Sequence, residues 1–261
     1  MNKITLTLDS LKKQKKKALV LFLTAGYPKI DSTISLVLEL AQAGADIIEL
    51  GMPFSDPLAD GPMIQASSQQ AINNGITLER ILGQVNEIRN HSNIPLVLMG
   101  YLNPILHYGG EKFFADARNA GVDGIILPEV SLEESARYLF LTRKHHIADI
   151  LLVSPATPEK RIREIDKVST GFLYCVSTTG VTGRSSVGDI NSYIKRVKRN
   201  TKKNPVLVGF GIKTPADAQR IALHADGVIV GSALIQRIAQ GNSITQIGYY
   251  VKSLKKGLNT I

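Results

Sequence analysis

With 261 residues, 44% of them hydrophobic, the chain can bury a sizeable core, and its length fits two modest domains or one α/β barrel. A single cysteine, Cys175, in the apolar run GFLYCVS excludes an internal disulfide, and the five histidines lack metal-ligand spacing, so no metal is expected. The net charge of +9 gathers in runs at 12–17, 195–203 and 252–257; without interleaved aromatics or a binding motif these read as solvated helix faces, with no nucleic-acid partner expected.

In chain order, the basic segment Met1 to Lys17 lacks the apolar centre of a signal peptide and reads as an extra N-terminal helix. Nowhere does an apolar run approach the ~18 residues of a membrane span, so a cytoplasmic protein is expected. ALVLFLTAG (18–26) opens a series of short apolar runs bounded by Gly, Pro or Asp. It continues with ADIIELG (45–51), PLVLMGY (95–101), VDGIILP (122–128), ADILLVSP (148–155), GFLYCVS (171–177), PVLVGFG (205–211) and DGVIVGS (226–232). Continuous apolar runs of this kind suit parallel strands covered on both faces. Helical periodicity falls between them, as in DSTISLVLELAQAGA, EKFFADARNAGV, LEESARYLFLTRKH and PADAQRIALHA, with Asp31, Ser131 and Thr214 placed as N-caps. The junctions AGAD (43–46), AGVD (120–123) and HADG (224–227) each end a helix and launch a strand. No linker interrupts the alternation, which predicts residues 1–261 as a single (β/α)8 TIM barrel; a doubly wound open sheet is the other arrangement that alternation permits.

In a barrel the site lies at the C-terminal ends of the strands. By that rule Asp46 and Asp123, which enter strands, are caps or turn residues. Glu49, at the exit of the second strand, and Asp60, in the loop after it, are candidates. Glu49 shares a strand face with Ile47 and opposes Ile48 and Leu50; if that face is the interior, its carboxylate reaches the mouth. A structural carboxylate paired with a neighbouring cation would produce the same sequence, although no Lys or Arg lies between Asp46 and Gly61. Glycine-rich stretches follow the last three strands: GVTG (180–183), GFG (209–211) and GSA (231–233), the last opening a short extra helix with Ser232. Backbone amides in such loops, with a helix N-terminus, suit a phosphate, and tight turns alone would also select glycine. The polar segment TTGVTGRSSVGD (178–189) reads as a closing loop over substrate or as an exposed surface loop.

Together these residues resemble the tryptophan synthase α subunit family. IELGMPFSDPLADG (48–61) carries the resemblance, with LFLTAGYP (21–28), MGYLNP (99–104), AGVDGIILPE (120–129), VSTTGVTG (176–183), GFGI (209–212) and DGVIVGSA (226–233), colinear over nearly the whole chain. The resemblance implies retro-aldol cleavage of indole-3-glycerol phosphate to indole and glyceraldehyde 3-phosphate. It implies Glu49 and Asp60 as the catalytic pair, substrate contacts at Phe22, Tyr174 and Thr182, and phosphate contacts at Gly183, Gly211, Gly231 and Ser232. It implies no cofactor in this chain and, as partner, a pyridoxal-phosphate-containing β subunit in an α2β2 complex. Two positions depart from the family pattern: Glu129 stands where Asp is usual and Ser131 where Pro is common, and a longer carboxylate at the mouth of the fourth strand would alter packing against the loop bearing Asp60. The rival readings are a catalytically weak subunit that mainly activates its partner and a phosphosugar isomerase on the same barrel.

Overall fold

The computed structural model describes residues 2–176, 190–209 and 211–260. Nine strands form one sheet: β1 (Ala18–Thr24), β2 (Ile47–Gly51), β3 (Leu96–Met99), β4 (Gly124–Ile126), β5 (Ala148–Asp149), β6 (Leu152–Val153), β7 (Leu173–Val176), β8 (Val206–Gly209) and β9 (Gly227–Val230). Their order is β5-β4-β3-β2-β1-β9-β8-β7-β6, and every pairing is parallel. The two outermost strands, β5 and β6, are halves of one segment, which closes the ring. Ile150 N–H donates to the Ile125 carbonyl at 3.0 Å, and Tyr174 N–H donates to the Leu151 carbonyl at 3.1 Å. The segment therefore bonds β4 with its first half and β7 with its second. One strand expected at ADILLVSP is thus recorded as two, because its ladder changes neighbour midway; the fold is the (β/α)8 TIM barrel.

Twelve helices accompany the sheet among the described residues: α1 (Lys3–Lys13), α2 (Ser32–Gln42), α3 (Pro62–Asn73), α4 (Leu78–Arg89), α5 (Leu102–Tyr108), α6 (Glu111–Ala120), α7 (Ser135–Lys144), α8 (Glu159–Val168), α9 (Ile190–Asn200), α10 (Pro215–Ala222), α11 (Ser232–Ala239) and α12 (Ile244–Leu258). α1 and α11 are the two extra helices expected. Thr214 caps α10 in a reciprocal box with Asp217. Asp31 occupies the N-cap of α2 without a side-chain cap bond, and Ser131 is not the N-cap of α7, which begins later, at Ser135. Ser131 and Glu134 instead close a turn ahead of it, the Ser131 hydroxyl donating to the Glu134 carboxylate at 2.8 Å.

The apolar residues divide into two cores. Alternation along the strands sends one set inward, where Val20, Ile47, Val97, Ile126, Ile150, Phe172, Leu207 and Ile229 meet, and the other outward against the helices. α1 closes the lower end: its Ile4 and Leu8 join the inner cluster, and Gly124 leaves room for Ile4, since a Cβ there would lie 2.8 Å from Ile4 Cδ1.

Candidate active site at the barrel mouth

Strand register decides where Glu49 points. Ile47, two residues earlier, packs inside the barrel, whereas Ile48 and Leu50 pack against the helices, so Glu49 also faces inward. It lies opposite Phe22 in the β1–β2 ladder. Its residue exposure is 0%, and neither carboxylate oxygen has a hydrogen-bond partner. Burial pushes its pKa up to about 8, so the neutral acid predominates at pH 7. Among the described residues Glu49 joins no ion pair, so no described cation accounts for its burial.

Asp60 sits where the loop after β2 turns into α3. Turn bonds hold this loop: Leu58 N–H donates to Asp56 O at 2.9 Å and Asp60 N–H to Pro57 O at 3.0 Å. The Ser55 hydroxyl donates to the Asp56 carboxylate at 2.5 Å, giving Asp56 a local role in shaping the loop. Burial raises the Asp60 pKa, the Tyr101 hydroxyl opposes the rise and the charge of Glu129 reinforces it, leaving it at about 6. Asp60 is therefore mainly ionised at neutral pH, with less margin than an exposed carboxylate has.

Glycines make space for the aromatic walls. A Cβ on Gly51 would lie 2.5 Å from Phe22 Cζ, and one on Gly209 would lie 2.6 Å from the Tyr174 hydroxyl oxygen. Tyr174, inward-facing on β7, is held in its phenol form by burial and by the charges of Glu49 and Asp60. Phe22 and Asp60 line a cavity with Met52, Met99, Tyr101 and Pro128. Glu49, Asp60, Phe22 and Tyr174 thus gather at one mouth. Gly231 adjoins Phe22 and is the N-cap of α11, where Ser232 is the first helical residue; the first-turn amides and the dipole favour an anion. Gly211 follows β8 in a left-handed conformation, φ 48°, that a side chain would strain. Thr182 and Gly183 lie outside the described residues. Among those described, no group of three or more His, Cys, Asp or Glu side chains could hold a metal ion.

Residues 8–258 match the sequence profile of the family described as "Tryptophan synthase alpha chain". The chain belongs to the tryptophan synthase alpha chain family. A tryptophan synthase alpha chain of Geotalea daltonii is 46% identical over 263 residues, covering 99% of each chain. That of Caldanaerobacter subterraneus is also 46% identical, covering 99% of this chain and all of the other. The crystal structure of tryptophan synthase subunit alpha from Legionella pneumophila superposes with a TM-score of 0.93 at 37% identity over the full length of both. The alpha reaction of tryptophan biosynthesis is the function of this family, which makes the chain an enzyme, and the family's partner is the β subunit. No helix among the described residues is long and apolar enough to cross a membrane.

One residue of this alpha chain mouth, Tyr101, escaped the sequence reading as a site component. Tyr101, 6% exposed, faces Asp60 and accepts the Ala59 N–H at 3.0 Å; Glu129 faces both Asp60 and Tyr101. Tyr101 lies two residues past the end of β3, so the positional rule that selected Glu49 also marks it. Glu129 stood out as a departure from the family pattern, placed at the mouth of the fourth strand against the loop that bears Asp60.

Proposed function

We propose that the chain is a carbon–carbon lyase that cleaves indole-3-glycerol phosphate to indole and glyceraldehyde 3-phosphate with Glu49 and Asp60 as its acid–base pair. One observation carries the assignment of roles: two carboxylates share a mouth, one fully buried with no partner among the described residues and the other only partly buried, so that at neutral pH one is an acid and the other an anion.

Cleavage between indole C3 and the glycerol chain requires protonation at C3, which turns the ring into an electron-accepting indolenine. Neutral Glu49 delivers that proton. Its carboxylate then takes the proton of the adjacent hydroxyl as the carbon–carbon bond breaks and the aldehyde forms, which restores the acid. The bonding electrons return to C3 and the aromatic ring is regained. Ionised Asp60 accepts the indole N–H and stabilises the positive charge that develops on nitrogen. Phe22 and Tyr174 flank the ring, and Gly211, Gly231 and Ser232, with Gly183, hold the phosphate, so that binding at the far end orients the reacting bond.

The reaction uses no cofactor in this chain, and pyridoxal phosphate belongs to the β subunit in an α2β2 assembly. Leu58, 85% exposed beside Asp56, and Leu106, 47% exposed on α5, give the rim apolar surface for that partner. Indole release from indole-3-glycerol phosphate, with and without added β subunit, tests the reading. Glu49→Gln and Asp60→Asn are each expected to lose roughly 100- to 10,000-fold in kcat. Wild-type protein that releases no indole with β subunit in excess would overturn the lyase assignment.

A further inference from the structure

Resting on that reading of Asp60, we propose that Tyr101 and Glu129 are positioning residues for it: Glu129 fixes the start of α5, and Tyr101, at that start, holds the loop that carries Asp60.

The connection runs through three elements that are distant in sequence. Glu129 follows β4, and its Oε1 accepts the Leu102 N–H at 2.5 Å. Leu102 is the first residue of α5, and the N-cap there, Tyr101, makes no side-chain cap bond of its own. A helix start needs acceptors for its open N–H groups, and here the acceptor comes from the neighbouring loop. Tyr101 is thereby fixed at the backbone, and its ring packs on Phe54 with centroids 5.3 Å apart. Its hydroxyl has one proton and two lone pairs. It accepts from Ala59 N–H at 3.0 Å and lies beside the Asp60 carboxylate, so one phenol holds the backbone of the loop and sets the surroundings of its reactive group.

The two residues act on Asp60 with opposite electrostatic sign. The Tyr101 hydroxyl stabilises the carboxylate, and the negative charge of Glu129 opposes it. Among the described residues Tyr174 from β7 also faces Asp60, a neutral phenol that leaves this balance unchanged when Tyr101 or Glu129 is altered. Phenylalanine at 101 removes the hydroxyl that accepts from Ala59 N–H and faces Asp60, and keeps the ring. Glutamine at 129 keeps an oxygen for Leu102 N–H and removes only the charge.

The pH dependence of kcat/KM for indole release discriminates this arrangement from simple packing. Tyr101→Phe is expected to lower kcat/KM about tenfold or more and to move the acid limb to higher pH by at least ~0.5 unit. Glu129→Gln is expected to move the same limb by a similar amount to lower pH, with kcat/KM at neutral pH changed less than about threefold. Residues that only support packing would lower activity and leave the limb in place. If both limbs coincide with that of wild type, the inference fails. If Tyr101→Phe does not fold, Glu129→Gln, which keeps the acceptor for Leu102 N–H, decides alone. Inactive wild type would instead overturn the lyase reading, so the two failures are distinguishable.

Discussion

At the scale of single residues, the mouth combines a buried acid and a nearby anion whose titrations bracket neutrality. Productive protein needs Asp60 ionised and Glu49 protonated, conditions met together between about 6 and about 8. The kcat/KM profile is therefore expected to be bell-shaped, its acid limb from Asp60 gaining a proton and its alkaline limb from Glu49 losing one. A profile flat from pH ~5 to ~9 would contradict these roles. Space is as specific as charge here. Gly51→Ala would set a methyl group 2.5 Å from Phe22 Cζ, so the ring must turn toward the indole position. A rise in KM of about tenfold is expected, partly reversed by Phe22→Leu in the same chain, and steady-state kinetics of both variants would show it. The address of Glu49 was legible from strand alternation and the barrel rule alone. The hold of Tyr101 on the loop of Asp60 was not: residues 101, 129 and 60 meet only after three separate βα units have closed into one ring.

At the scale of elements, the recurrent junctions AGAD, AGVD and HADG have a shared physical function. Each aspartate sits just before a strand start, and its carboxylate accepts an N–H from the adjacent strand: Asp46 from Leu19, Asp123 from Leu96 and Asp226 from Val206, at 2.7, 3.0 and 2.7 Å. Each also receives a cation from the end of a helix, namely Lys255, Arg89 and Lys198. The same side chain thereby ties two strands and one helix together at the lower rim, where the barrel rule places structural residues. The Arg89–Asp123 pair is the most enclosed, with side chains 12% and 4% exposed. Asp123→Ala would leave the Leu96 amide without its acceptor and the guanidinium with only the carbonyls of Gly121, Ser92 and Ile94, and a loss of about 3 kcal/mol in urea-induced unfolding is expected. The junctions were visible as repeats in the sequence, but their partners were not, because Leu19, Leu96 and Val206 are each supplied by the strand before.

At the scale of the whole molecule, a closed parallel barrel surrounds an interior that must be filled below and reactive above. α1 supplies part of the lower filling through Ile4 and Leu8, whereas at the mouth Glu49 takes a position that an apolar residue would fill lower down. The alternation of eight apolar runs with helices made the ring legible; the change of neighbour at Ile150–Leu151 was not, since both halves of that strand are equally apolar. Burying Glu49 has a consequence for stability that extends to Asp149, a second enclosed carboxylate with an oxygen lacking a hydrogen-bond partner. Burial raises its pKa to about 7, against an opposing pull from Arg143. For both groups the folded-state pKa exceeds the unfolded value, so between pH ~4 and ~8 the native chain binds more protons than the unfolded one. Stability present below the unfolded pKa values is therefore lost as pH rises, through about 7 for Asp149 and about 8 for Glu49. Asp149→Asn and Glu49→Gln are each expected to flatten this decline, by a few kcal/mol at pH ~9. Urea unfolding from pH ~5 to ~9 checks it: a wild-type stability that rises with pH across this range, or variants that follow the wild-type curve, would contradict the assignment. The stabilising effect of Glu49→Gln, set beside its loss of catalysis, would show that the acid at the mouth is retained against the interest of the fold.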